Sequence, residues 1–137
     1  MEKDVAAGTT SEPKMVIVIR KDLKLRRGKE IVQGCHFIAD FVRTRYFGMT
    51  NESRPLFRLS ELDENWLFGI QKKICLCVNS LEELMDLLVK ARANNLESHL
   101  IQDLGLTEVE PDTYTALVIG PDLPNRIDKI TSHLKLY

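Results

Sequence analysis

Four polar side chains sit at helical spacing near the start of the chain. Lys29, Gln33, His36 and Asp40 are separated by four, three and four residues. At 100° per residue they fall on one side of a helix, each within reach of the next. An amine, an amide, an imidazole and a carboxylate in one row exceed what solubility requires of a helix face, Gln33 and His36 above all. Immediately before them lies a basic run. Arg20 to Lys29 holds six bases (Arg20, Lys21, Lys24, Arg26, Arg27 and Lys29) against one acid, Asp22. A helix N-terminus adjoining such a run favours anions, because its first backbone N–H groups are unpaired and its dipole is positive there. Phosphate is the anion these residues suit.

Other chemistries find no support in the sequence. His36, His99 and His133 are dispersed, and the three cysteines, Cys35, Cys75 and Cys77, form no C-x-x-C pair. No metal-ligand spacing results. Phosphate loops, dinucleotide fingerprints and nucleophile elbows are absent as motifs. Cys75 and Cys77, two apart on a strand, share a side and read as structural thiols.

The elements that must hold the polar row follow from periodicity. Met15-Val-Ile-Val-Ile19 is a β-branched run and predicts a central strand covered on both faces. Gly28 to about Phe47 predicts a helix. Its aliphatic residues Ile31, Cys35, Ile38 and Val42 lie within about 60° of one another, and this stripe is expected to be its buried face. Gly48 to Asn65 reads as a long loop with a helical turn near Ser60–Asp63, anchored by Trp66 and Phe68. Lys73–Val78 predicts a strand. Ser80 and Glu83 form a capping box for the leucine-rich helix that follows. Ser98–Gln102 and Thr113–Ile119 predict strands, the second ended by Gly120-Pro121. Pro124 opens a short helix through Thr131, and 132–137 reads as a tail. Two crossover helices require some parallel pairing with right-handed connections.

Bulk properties fit one domain. The chain has 137 residues, a net charge of −1 and 44% apolar residues, which exclude a wholly basic binder and global disorder. Its longest apolar run is too short to span a bilayer. Residues 1–13 read as a flexible tail and 14–137 as the domain. The first fourteen residues carry acids and no apolar core, so no signal peptide is expected, and sparse unpaired cysteines suit reduced thiols in the cytoplasm. The balance hides an asymmetry: Ala93 to Asn125 carries six acids and no Lys or Arg.

Taken in order, Lys14-Met-Val-Ile-Val-Ile-Arg20, Asp22-Leu-Lys24, Gly28-Lys29, Gln33 and His36 resemble the opening of the type II peptidyl-tRNA hydrolases. Gln102-Asp103-Leu-Gly105, Thr107, Ile119-Gly-Pro121, Ile127-Asp-Lys-Ile-Thr131 and His133-Leu-Lys-Leu-Tyr137 resemble its end. The resemblance implies an α/β fold, a three-layer sandwich with a four-stranded mixed β-sheet and helices on both faces. It implies hydrolysis of the ester joining a peptide to tRNA, with no metal or other cofactor, tRNA as partner and a homodimer. It points to Lys29, Gln33, His36, Asp103 and Thr107 as the catalytic group. In that group Asp103, at a strand end where ligand sites of open sheets gather, orients or deprotonates water, with His36 assisting. Lys29 holds a phosphate or the developing negative charge, and Gln33 and Thr107 position substrate. Arg20, Lys21, Lys24, Arg26 and Arg27 grip the tRNA backbone without reading sequence. A competing reading keeps the fold without turnover, as a tRNA- or protein-binding module. It draws on Leu106, where the family carries Arg, and on the long 48–65 segment.

Overall fold

The structure, a computed structural model, describes residues 12–47, 59–103 and 113–137. The elements run β1 (Lys14–Arg20), α1 (Arg27–Phe47), α2 (Glu61–Leu67), β2 (Lys72–Val78), α3 (Leu81–Ala93), β3 (Ser98–Asp103), β4 (Thr113–Asp122), α4 (Pro124–Thr131) and β5 (Lys135–Leu136). A single mixed sheet carries the order β3-β4-β1-β2-β5. β1 pairs parallel to β2 and antiparallel to β4, and β3 pairs antiparallel to β4.

The continuous apolar run of β1 serves two separate cores. Val16 and Val18 join a cluster with Leu84, Leu87, Leu88 and Ala91 of α3 and Ile127 and Ile130 of α4. Met15 and Ile19 join another with Phe37 and Phe41 of α1 and Trp66 of α2. Successive strand side chains point oppositely, so a strand apolar at every position must be covered twice. A 2.7 Å ion pair from the buried Lys14 to Asp128 ties β1 to α4.

Several expectations are corrected here. The sheet has five strands, not four: residues 135–136, read as tail, pair antiparallel with β2, and the Tyr137 N–H donates to the Cys75 carbonyl at 3.1 Å. Both β5 residues are exposed, so this strand has no buried alternation to reveal it. β4 does not stop before Gly120-Pro121 but continues to Asp122. Gly120 sits at φ +108, and a Cβ there would lie 2.8 Å from the Lys14 carbonyl oxygen. Glycine is required where β4 crosses this register shift against β1.

The third correction concerns α1. Its buried residues are Gln33, Phe37 and Phe41, spaced by four. The expected stripe faces outward: Ile31 is 63% exposed and Val42 54%, Cys35 is exposed, and Ile38 is only half-buried. Two phenylalanines outweigh small aliphatics because each removes more apolar area from water. The rings of Phe37 and Phe41 lie 6.0 Å apart, and Phe41 meets Trp66 edge-on at 5.7 Å.

Ser60 caps α2 in a complete capping box with Asp63. Trp66 anchors the segment as expected, donating from its indole N–H to the Lys72 carbonyl at 2.9 Å. Phe68 does not: it is 77% exposed, because two helical steps turn it away from Trp66. Cys77 is buried and Cys75 exposed, so only the first is a core thiol.

Candidate active site

α1 runs antiparallel to β3, and three contacts record the register. Near the start of α1, the Lys29 ammonium lies 2.8 Å from an Asp103 carboxylate oxygen at the end of β3. Two turns on, the Phe37 ring packs on His99, centroids 5.3 Å apart. Two turns further, Arg45 pairs with Glu97. Between helix and strand lies a cleft of about 540 Å³, lined by Lys29, His36 and Asp40 from α1 and by Leu100–Asp103 from β3.

At the deep end of the cleft three side chains meet. Gln33 donates its amide N–H to the same Asp103 oxygen at 3.4 Å, and its carbonyl accepts from the Thr115 hydroxyl at 2.7 Å. The Asp103 side chain is 1% exposed and that of Lys29 17%. A buried carboxylate requires such partners, since an unpaired one costs several kcal/mol, about 3–5 when its partner is removed. Asp103 accepts only, so the amide must turn its NH₂ toward Asp103 and its oxygen toward Thr115. Lys29, Gln33 and Asp103, about seventy residues apart in the chain, are therefore one hydrogen-bonded unit.

His36 lies on the wall of the same cleft with its imidazole exposed. Thr107 falls outside the described residues, as does Leu106. Arg20 is committed locally: its guanidinium binds both Asp22 carboxylate oxygens, at 2.7 and 3.1 Å, and the Tyr114 carbonyl at 3.0 Å. Lys21, Lys24 and Arg26 are exposed on the turn that leads into α1, and Arg27 is exposed as its first residue. Lys24 closes a short 3₁₀ turn with φ 53.

Sequence reasoning missed Thr115. It lies where the β3–β4 register shifts between Ile101 and Gln102, so β4 carries one extra residue there. A bulge re-aims a side chain that regular alternation would point elsewhere, and Thr115 thereby reaches Gln33. No periodicity announces a bulge. Thr115→Val is expected to lower stability by about 1–3 kcal/mol, because it strands the buried Gln33 carbonyl, and Thr115→Ser to restore it. Urea unfolding of the two variants checks this, and equal midpoints for valine and wild type would contradict it.

A second polar network holds the far end of α1. Arg45 bonds Asp63 at 3.0 Å and also Glu97, and Glu97 bonds His99 at 2.6 Å. Burial pushes the Glu97 carboxyl upward, but hydrogen bonds from His99 and Arg45 outweigh it and hold the group below the usual carboxylate range. Burial likewise pulls Arg45 down, and its two carboxylate partners raise it above its ordinary value. This network joins α1, the α2 cap and the start of β3, and so fixes the helix–strand register the cleft depends on.

Cys75 is exposed as a residue, yet partial burial of its thiol, with the Glu30 carboxylate nearby, pushes that group up, away from the thiolate form a nucleophile needs. The Tyr137 phenol, hydrogen-bonded to Glu30, is pushed up to about 12. Among the described residues no group of three His, Cys, Asp or Glu is placed to hold a metal ion, and no helix is long and apolar enough to cross a membrane.

Comparison with known proteins places this geometry in context. The family model described as peptidyl-tRNA hydrolase PTH2 matches residues 13–137. A peptidyl-tRNA hydrolase of Methanocaldococcus jannaschii is 44% identical over 90% of this chain and 98% of its own length. That of Saccharolobus solfataricus is 40% identical over 90% and 98%. The peptidyl-tRNA hydrolase 2, mitochondrial, of Bos taurus is 35% identical over 95% of this chain and 67% of its own. A solved structure of a protein of unknown function from Agrobacterium tumefaciens covers 92% of this chain and 98% of its own, with a TM-score of 0.56 at 15% identity, a likeness of fold alone.

Proposed function

This chain belongs to the peptidyl-tRNA hydrolase PTH2 family, and on that premise we infer that it hydrolyses the ester joining a peptide to tRNA, at the cleft between α1 and β3. The observation that carries the site assignment is the Lys29–Asp103 pair with Gln33 on the same carboxylate oxygen.

Ester hydrolysis needs a deprotonated water, charge stabilisation for the oxyanion and a proton for the departing tRNA hydroxyl. Lys29, partly exposed at the cleft, supplies the positive charge. Asp103 is enclosed, so we give it the orienting part, holding Lys29 and Gln33 in place. His36, exposed on the same wall, takes the proton from water and returns it to the leaving oxygen. Thr107 joins them as a positioning residue on the strength of the resemblance. Release of deacylated tRNA from a purified N-acylated aminoacyl-tRNA tests the reading, and tRNA binding without release would instead support a binding module.

Lys21, Lys24, Arg26 and Arg27 suit contacts to tRNA phosphates, while Arg20 shapes the turn that presents them. Lys24→Ala/Arg27→Ala is expected to weaken tRNA binding across sequences. It should flatten the log–log salt dependence by about 1 per lost contact. Titrations at several salt concentrations measure this, and an unchanged slope would remove these residues from the interface.

The two cores drawn from alternate β1 residues favour the three-layer sandwich, with residues 14–137 as one domain. We assign the outward aliphatic face of α1 to a homodimer contact, since Ile31, Val32, Cys35 and Val42 leave apolar area in water. Ile31→Asp/Val42→Asp should then halve the mass found by sedimentation, and an unaltered mass would contradict the contact. The reduced-thiol reading of the three cysteines favours the cytoplasm.

A further inference from the structure

We propose that the outer edge of β3 at Leu100 binds the main chain of the substrate's peptide as an added parallel strand. The proposal rests on the peptidyl-tRNA hydrolase reading and extends it to the part of the substrate distant from the ester.

The cleft is longer than the reaction needs. Lys29 and Asp103 line one end, with the buried Gln33 behind them on the Asp103 carboxylate, while its walls continue past His36 to Asp40 on α1 and back to Leu100 on β3. Among the described residues β3 is a terminal strand of the sheet, so one side of its backbone faces away from β4. Which residues turn outward follows from the ladder. The Gly120 N–H donates to the Glu97 carbonyl at 2.9 Å, and His99 and Ile101 stand opposite Val118 and Ala116. In an antiparallel pair such positions alternate. Odd-numbered residues therefore exchange bonds with β4, and Leu100 directs both its N–H and its carbonyl to the outer edge. Its side chain packs against the core cluster that holds α3 and α4. The part of Leu100 that borders the cleft beside α1 is accordingly its main chain.

An outward strand edge is a template for another extended chain. His99, Leu100 and Ile101 carry none of the lysines or prolines that blunt such edges. The occupant is identified by chemistry and by place. It must offer alternating N–H and carbonyl groups, and it must reach this edge from an ester held at Lys29 and Asp103. The peptide of peptidyl-tRNA meets both demands. Main-chain pairing also ignores side chains, as a hydrolase of variable peptides requires. The ester marks the peptide's C-terminal end and lies beside Asp103, so the peptide runs from Leu100 toward Asp103, in the direction of β3. Three residues of strand cover about 10 Å. The third residue before the ester then reaches Leu100.

Substrate length provides the test. We compare kcat/KM for tRNA carrying one N-acetylated alanine with tRNA carrying four alanines, the first acetylated. Two added main-chain hydrogen bonds predict a gain of roughly ten- to thirty-fold for the longer substrate, about fivefold per bond. N-methylation of the tetrapeptide amides, one at a time, should cut the gain about fivefold at one amide, by removing one of the two bonds. Exchanging alanine side chains for serine or leucine should leave it. Equal kcat/KM for both lengths, with turnover present, would overturn the subsite and leave the hydrolase reading intact. Absence of turnover on both would overturn the hydrolase reading. The subsite is then decided by hydrogen exchange with amide-linked, uncleavable analogues of both lengths. Slowing of the Leu100 amide by the tetrapeptide analogue alone supports it, and equal exchange with both overturns it.

Discussion

Lys29→Met is expected to lower kcat for peptidyl-tRNA about 10²–10³-fold, with a much smaller change in tRNA affinity. The size follows from removing one preorganised positive group from a site where negative charge develops. Methionine keeps an unbranched stem of similar length, so the loss is of charge more than of packing. The contrast between kcat and affinity follows from the division of labour on the surface. The residues proposed to contact phosphate, Lys21, Lys24, Arg26 and Arg27, lie before and at the first residue of α1, whereas Lys29 is held inside the cleft by Asp103 at 2.8 Å. The variant also leaves the Asp103 carboxylate buried without its cation, which costs stability. Asp103→Asn removes that charge as well and should recover part of the stability without recovering turnover. Steady-state kinetics with tRNA binding measured separately checks the prediction. A variant that retained kcat and lost affinity would make Lys29 a phosphate contact.

The second large effect lies in the core. Phe37→Ala should destabilise the fold by about 3–5 kcal/mol, the usual cost of removing a fully buried ring and leaving a cavity. Phe37 is wholly buried between Phe41 and His99. Ile31→Ala on the same helix should change monomer stability by no more than about 0.5 kcal/mol, because Ile31 lies mostly in water. Chemical unfolding at low protein concentration measures both. The pair decides which face of α1 is buried: similar costs at the two positions, or a larger one at Ile31, would restore the aliphatic stripe as the buried face.

That helix shows where residues alone inform and where they mislead. The span of α1 was readable because 20 residues with helical spacing start at Gly28 and stop before Gly48. Its orientation was not. Ile31, Cys35, Ile38 and Val42 form a coherent stripe, but Phe37 and Phe41, directly in line with Lys29 and Gln33, form another. Burial favours the larger rings when only one stripe can face the sheet. The polar row divides for a related reason. Lys29 and Gln33 lie on the buried phenylalanine edge and meet Asp103, while His36 and Asp40 lie one step round, on the cleft wall.

β1 and β2 were legible from their apolar runs, α3 from its Ser80 cap and leucine period, and α4 from the proline at its start. Ser80 accepts from the Glu83 N–H at 3.0 Å, as the motif predicts, but the Glu83 carboxylate turns to the Asn79 N–H at 2.6 Å. β5 and the bulge at Thr115 were not legible. A two-residue exposed strand has no pattern, and a bulge is a property of two strands together. The meeting of Lys29 and Gln33 with Asp103 came from the resemblance, since no local rule links residues seventy positions apart.

The central claim is that Lys29 and Asp103 act as one unit in cleaving the ester. A double-mutant cycle tests it most directly: single-turnover release of tRNA from an N-acetylated aminoacyl-tRNA by wild type, Lys29→Met, Asp103→Asn and the double variant. Residues that act together are not additive. The double variant should therefore fall within about threefold of the slower single variant. Multiplication of the two losses would show that the two residues act separately and would contradict the account.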